Sequence, residues 1–225
     1  MKIPHDYEIP SPFLGNYFCL IPNTNSAFVV ICKNACSFLK KVAIYNKTDQ
    51  WLESFDETHR LIGYTESSEY LVPVSKIKKY ERKNGKLLKF AVWRDPVDRV
   101  VSNYKLFCLE REYRTYFKFL GINEKISFDR FMKFLDFEWT KTNPLMQDEH
   151  VRKQCDHFSA LDVDFIIHLN DIYKFLKENG IRFIEEKTNK TEAIFAIDSE
   201  DHLNKIKEYY QLDYNLVINY PRVES

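Results

Sequence analysis

Ala27-Phe28-Val29-Val30-Ile31-Cys32-Lys33-Asn34-Ala35-Cys36-Ser37 is the stretch on which the fold turns. Its unbroken apolar start reads as a strand buried on both faces. The run ends in a lysine and a turn of small residues that lead into Phe38-Leu39-Lys40-Lys41-Val42-Ala43, a helix beginning. Leu87-Leu88-Lys89-Phe90-Ala91-Val92-Trp93 repeats the arrangement and stops at Arg94, before Asp95-Pro96-Val97-Asp98-Arg99-Val100-Val101-Ser102. A helix N-terminus presents unpaired N–H groups and the positive end of the peptide dipoles, so an anion at either turn would meet backbone donors and one fixed cation. Two such cradles suit a ligand with two separated phosphates better than one with a single phosphate chain.

Outward from these segments, Asp95 is a good N-cap and Pro96 sits at the first helical position, where a missing N–H costs nothing. Val97, Val100, Val101, Tyr104 and Cys108 recur at helical spacing. A second helix is expected from Ser127, with Phe128, Phe131, Met132 and Leu135 as its apolar stripe, then a loop around Asn143-Pro144. Asp164 to Leu169 reads as a third strand, Asp171 to Asn179 as a helix closed by Gly180, and Ser199 to Tyr210 as a last helix. Residues 1–25 carry Pro4, Pro10, Pro12 and Pro22 and read as an extended arm, with the core beginning at Ala27. Asp49 to Pro73 reads as irregular, and Lys76 to Lys89 as a solvated helix and turn. Strands alternating with helices predict an α/β fold with right-handed crossovers and a parallel sheet covered on both faces, in a single domain over residues 1–225.

Composition narrows the function. An aromatic content of 16% and a hydrophobic content of 44% belong to a folded globule. Thirty-three basic residues balance thirty-three acidic ones, which is not the overall basic footprint of a nucleic-acid binder. No apolar stretch is long enough for a membrane span or a signal core, so a cytoplasmic, unexported protein is expected. Five cysteines, an odd number without C-x-x-C spacing, read as free thiols. His150, Cys155 and His157 lack a fourth partner for a tetrahedral site, and no metal is expected.

In the first cradle Lys33 would reach a phosphate held by the N–H groups of Ala35, Cys36, Ser37 and Phe38, with the Ser37 hydroxyl as a further donor. None of the five glycines, at 15, 63, 85, 121 and 180, lies in the turn. The G-x-x-x-x-G-K-[ST] loop of ATP and GTP hydrolases is therefore absent, which weighs against a kinase-like phosphotransferase. In the second cradle Arg94 and Ser102 would meet on one phosphate, the guanidinium as a planar fork and the hydroxyl as a neutral donor. The structural alternative is an Arg94–Asp98 or Arg99–Asp95 pair that ties the helix start to its strand.

These residues are similar to those of the sulfotransferases that use 3′-phosphoadenosine 5′-phosphosulfate, and among them the carbohydrate sulfotransferases, whose first loop reads P-K-N-A-C-T-S-L-K. Lys33, Asn34, Ala35, Cys36, Ser37, Leu39 and Lys40 match that loop, with Cys32 in place of proline and Phe38 in place of serine or threonine. Arg94-Asp95-Pro96, Arg99, Ser102 and Tyr104 match the family's 3′-phosphate segment. Asp148-Glu149-His150 with Gln154 resembles its D-x-H-x-x-x-Q stretch, and Tyr210 to Tyr214, ending in Tyr220, resembles its Y-x-x-D-[FY] close. The resemblance implies a P-loop-like sheet with the nucleotide across the carboxyl ends of the strands.

It also implies sulfuryl transfer to a hydroxyl, with Lys33 stabilising the leaving oxygen and a base drawn from between the two cradles. His59 is the only histidine there, with Glu57 as the carboxylate alternative and His150 as the other imidazole. His150 is also a candidate contact for the acceptor. The acceptor implied is a carbohydrate, such as a precursor of a bacterial surface polysaccharide or a glycolipid, and Tyr64, Tyr70, Tyr113 and Trp139 are aromatic candidates to stack on it. A nucleotide-binding module without activity is the remaining reading.

Overall fold

A computed structural model describes residues 16–63, 68–109, 126–186 and 195–219. Its centre is a five-stranded sheet of β1 (Tyr17–Ile21), β2 (Ser26–Val29), β3 (Leu71–Pro73), β4 (Leu88–Trp93) and β5 (Phe165–His168), in the order β3-β1-β2-β4-β5. β2, β4 and β5 run parallel, whereas β1 is antiparallel to both of its neighbours. The exception follows from chain length. Only Pro22–Asn25 separate β1 from β2, with Asn23 and Asn25 at positive φ and the Thr24 hydroxyl donating to the Ile21 carbonyl at 2.7 Å. A link this short makes a hairpin, while a parallel partner needs a long crossover.

β1 corrects the expectation for residues 1–25, because residues 17–21 form an inner strand and the core begins there, not at Ala27. Residues 1–15 lie outside the described residues. The stretch Asp49–Pro73, expected to be irregular, holds α2 (Phe55–Ile62) and β3. α2 presents few apolar residues, and its start is set by the Ser54 hydroxyl, which accepts from the Glu57 N–H. The other helices are α1 (Cys36–Thr48), α3 (Ile77–Asn84), α4 (Pro96–Tyr104), α5 (Phe128–Trp139), α6 (Ile172–Glu178), α7 (Glu200–Tyr209) and α8 (Gln211–Asn219). The expected strand and helix starts at Asp95, Ser127 and Ser199 are all present, each with its side chain capping a backbone N–H. α8 was not expected; it follows α7 after a break at Tyr210.

Both faces of the sheet are covered, as the alternation of side chains requires. Cys19, Phe28, Phe90, Val92 and Ile167 pack against Leu39, Val42 and Ala43 of α1 and Phe175 and Leu176 of α6. Phe18, Ala27, Val29, Ala91 and Trp93 face the opposite way, toward Ile77 of α3, Phe158 and α8. A third cluster joins α4, α5 and α7 through Val100, Tyr104, Phe131, Leu135 and Ile206. Lys89 departs from the solvated lysine run, since it is buried and its ammonium donates to Glu81 at 2.6 Å. Pairing of Phe28 with Phe90 in parallel register brings the carboxyl ends of β2 and β4 to one edge, so the segments after them are neighbours.

Phe90 is fully buried with ring neighbours Phe28 at 6.1 Å and Phe175 at 4.9 Å. Phe90→Ala is expected to lower unfolding free energy by about 3–5 kcal/mol, measured by urea denaturation.

Candidate phosphate-binding and active site

Between β2 and α1 the chain turns without a glycine. Lys33 (φ +69°) and Ala35 (φ +58°) both adopt the left-handed conformation, which costs an L-residue roughly 1–2 kcal/mol each. The turn is held from several sides. Asn34, buried, donates through Nδ2 to the Val92 carbonyl at 2.6 Å and to Gln154 Oε1 at 2.5 Å. Arg94 Nη1 donates to the Lys33 carbonyl at 3.0 Å, and Arg99 Nε to the Cys32 carbonyl at 3.1 Å. With carbonyls drawn toward these donors, the first N–H groups of α1 are left facing outward from the helix end. Ala35 provides no side-chain cap, and the first turn carries no acidic residue. A helix start without cap or carboxylate, next to a lysine, is suited to an anion.

The second cradle is built differently from its expectation. Asp95 Oδ1 accepts from the N–H groups of Val97 at 2.8 Å and Asp98 at 3.2 Å, so the carboxylate occupies the start of α4. Backbone donors there are not offered to a phosphate, and recognition falls to side chains. Arg94 is turned toward the Lys33 carbonyl, and its guanidinium therefore bridges the two cradles. Burial lowers its pKa, with Asp98 and Asp95 acting in the opposite sense. Ser102 is half-buried on α4, and its hydroxyl has no hydrogen-bond partner among the described residues. Neither an Arg94–Asp98 nor an Arg99–Asp95 ion pair forms among the described residues. Fully buried, Arg99 donates to the carbonyls of Cys32, Arg152 and Glu149 and is a structural clamp.

Gln154 ties the two strand ends together. Its Oε1 accepts from the Arg94 N–H at 3.0 Å as well as from Asn34, and its Nε2 donates to the Arg94 carbonyl at 2.9 Å. Asp213, at the start of α8 and fully buried, receives the N–H groups of Gln154 and Cys155, each at 2.9 Å. Sequence spacing marked Gln154 and Asp213 as motif residues without giving them a task. Their separation in the chain hides a contact that only the folded sheet edge creates.

His59 lies on α2 facing α1. Its Nδ1 is 2.9 Å from the Phe55 carbonyl and its Nε2 is 3.3 Å from the buried Lys40 ammonium. The carbonyl fixes the proton on Nδ1, which leaves Nε2 as the acceptor. Burial first and then Lys40 lower the pKa, which favours the neutral ring. Glu57, two residues earlier and so about 200° around the helix, is exposed and 3.7 Å from Arg60. His150 approaches the loop from another segment, with Nδ1 2.9 Å from Asp148 Oδ1 and its ring against Phe107. Burial lowers its pKa, but Asp148 and Glu149 outweigh that and raise it.

A cleft of about 350 Å³ opens beside Ser37 and Phe38, with Trp51, Glu53, Phe55 and Glu185 among its walls. Phe55 also stacks on His59, with ring centroids 3.9 Å apart. The Phe38 ring packs on Trp51, Tyr173 and Phe183, which explains an aromatic residue where the loop could hold a hydroxyl. Among the expected sugar-stacking aromatics, Tyr70 is buried and Trp139 is stacked on Tyr209 at 4.2 Å, so both are packing residues. Tyr64 and Tyr113 lie outside the described residues, as does Tyr220.

A mostly parallel sheet flanked by helices, with an open helix start after one strand and an arginine after its neighbour, defines an α/β protein whose strand ends are suited to anions. The model of the Sulfotransferase family matches residues 17–217, and the chain belongs to that family. Sulfuryl transfer is thus its general chemistry. Comparison with curated proteins and with solved structures returned no match. No described helix is long and apolar enough to cross a membrane.

Asp213→Ala removes the acceptor for two buried N–H groups. A loss of about 2–5 kcal/mol is expected, read from chemical denaturation, with Asp213→Asn losing less because one acceptor oxygen remains.

Proposed function

We propose that the chain transfers a sulfuryl group from 3′-phosphoadenosine 5′-phosphosulfate to a hydroxyl of a carbohydrate. The observation that carries this reading is the uncapped, carboxylate-free start of α1 beside Lys33, joined through Arg94 to the end of the adjacent parallel strand. The N–H groups of Cys36, Ser37 and Phe38 would receive the 5′-phosphate, with Ala35 and Asn34 shaping the turn, while Arg94 and Ser102 would receive the 3′-phosphate. Lys33 would neutralise the charge that grows on the bridging oxygen as the S–O bond breaks, and no metal is assigned to that task.

His59 is the proposed base. An acceptor hydroxyl replacing the Lys40 ammonium at Nε2 would lose its proton there as its oxygen attacks sulfur in line with the leaving phosphate. Support for a saccharide comes from the cleft, where aromatic rings lie beside the carboxylates of Glu53 and Glu185. Those carboxylates accept hydrogen bonds from hydroxyls and repel anions, which favours a neutral sugar over an acidic one.

Calorimetry with adenosine 3′,5′-bisphosphate tests the donor site. Lys33→Ala and Arg94→Ala are each expected to weaken binding at least tenfold, because each loses a charge-assisted contact. Arg94→Ala is expected to lose much less affinity for adenosine 5′-monophosphate, the residual loss coming from its bond to the Lys33 carbonyl. Equal loss for both nucleotides would remove Arg94 from the 3′-phosphate. Binding without sulfate transfer to any of a panel of glycans would identify a nucleotide-binding module.

The base is tested by pH. Only neutral His59 accepts a proton, and its pKa lies below the usual 6.5, so turnover should hold down to that depressed value and fall as pH drops through it. Lys40→Met removes a cause of the depression and should move the acid limb to higher pH. His59→Gln should abolish the limb and lower kcat by about 10²–10⁴-fold. An acid limb unchanged in both variants would exclude His59.

A further inference from the structure

Beneath the first loop lies a cluster that sulfuryl transfer does not use. The Cys32 thiol, a Glu149 carboxylate oxygen and a His150 ring nitrogen all lie within 4.8 Å of one another. Cys36 opens α1 four residues further on. We propose that Cys32, Glu149 and His150, with water in the fourth position, form a zinc site that fastens the start of the first loop to the segment carrying Gln154.

The ligand backbones are held in place by α4. Arg99 donates to the Cys32 carbonyl at 3.1 Å and to the Glu149 carbonyl at 3.2 Å, so one buried guanidinium fixes the distance between both ligand segments. Asn103 Nδ2 donates to the His150 carbonyl at 2.6 Å. Beyond the first ring of ligands, Asp148 Oδ1 sits 2.9 Å from His150 Nδ1, leaving Nε2 for the metal. A carboxylate behind a histidine ligand orients the ring and raises its basicity, a regular companion of zinc-binding histidines. The Glu149 carboxylate has no ion-pair partner among the described residues, although the segment is half-buried.

Donor chemistry selects the ion. A thiol, an imidazole and a carboxylate, completed by water, match tetrahedral zinc and are too soft for magnesium or calcium. Tetrahedral ligands at roughly 2.0–2.3 Å from a common centre stand about 3.3–3.8 Å apart, so the three groups, all within 4.8 Å of one another, close on an ion by side-chain rotation. Binding turns the Cys32 thiol into a thiolate and releases one proton to solvent. One thiolate and the Glu149 carboxylate bring two negative charges, which balance those of zinc. The ligands come from two distant segments, so no cysteine spacing announces the site. The inference stands whether or not the chain transfers sulfate, since Lys33 and Arg94 are not ligands.

Cobalt(II) titration of the chelator-treated full chain tests it. One equivalent should bind with the intense visible bands of tetrahedral cobalt and a thiolate-to-cobalt charge-transfer band in the near ultraviolet, and zinc should displace it and raise the melting temperature. Cys32→Ser and Glu149→Gln should each weaken cobalt binding at least tenfold, while Cys155→Ser should leave it unchanged. If Cys32→Ser does not fold, Glu149→Gln decides. A weak octahedral spectrum without charge transfer, or variants that bind cobalt like the parent, would overturn the proposal.

Discussion

The buried amide of Gln154 holds together the two ends of the sheet on which ligand recognition depends. Through one oxygen it accepts from Asn34 of the first loop and from the Arg94 N–H at the end of β4, and through its nitrogen it donates to the Arg94 carbonyl. Asp213 fixes it from behind by receiving its backbone N–H. Inside the protein such bonds are strong and their loss leaves several groups unpaired at once, so the network behaves as a unit. The distance between Lys33 and Arg94 is therefore a property of the fold, set before any ligand arrives.

That rigidity explains how the turn after β2 can do without glycine. Lys33 and Ala35 are held in a left-handed conformation that an isolated chain would leave. The surrounding donors over-determine the turn, drawing carbonyls inward to Arg94 and Arg99. What remains at the helix start is a set of N–H groups with no side-chain cap and no carboxylate in the first turn, whereas α2, α4, α5 and α7 each have a capping side chain. An anion placed at that helix start would be favoured by the unsatisfied dipole.

Much of this was legible in the sequence where local chemistry decides structure. The apolar runs ending at Lys33 and Arg94, the caps at Asp95, Ser127 and Ser199, and the glycine after α6 all behave as their residue types require. β1 was hidden because prolines precede it and Pro22 follows it, and its place inside the sheet comes from pairing with β2 and β3, which is a tertiary effect. α2 was hidden by its polar composition, with Thr58 and Ile62 as its only buried residues. Asp95 was legible as a cap, yet its consequence for the second cradle was not, because a cap and a phosphate compete for the same N–H groups. Contacts such as Gln154–Asp213 and Cys32–Glu149 join distant segments and leave no periodic trace.

The central claim is that two phosphates of one nucleotide rest on neighbouring strand ends. A crystal structure with adenosine 3′,5′-bisphosphate measures this directly. The account predicts one phosphate within hydrogen-bonding distance of the N–H groups of Cys36, Ser37 and Phe38 and the other on the Arg94 guanidinium. A nucleotide bound elsewhere, with both strand ends empty, would contradict it.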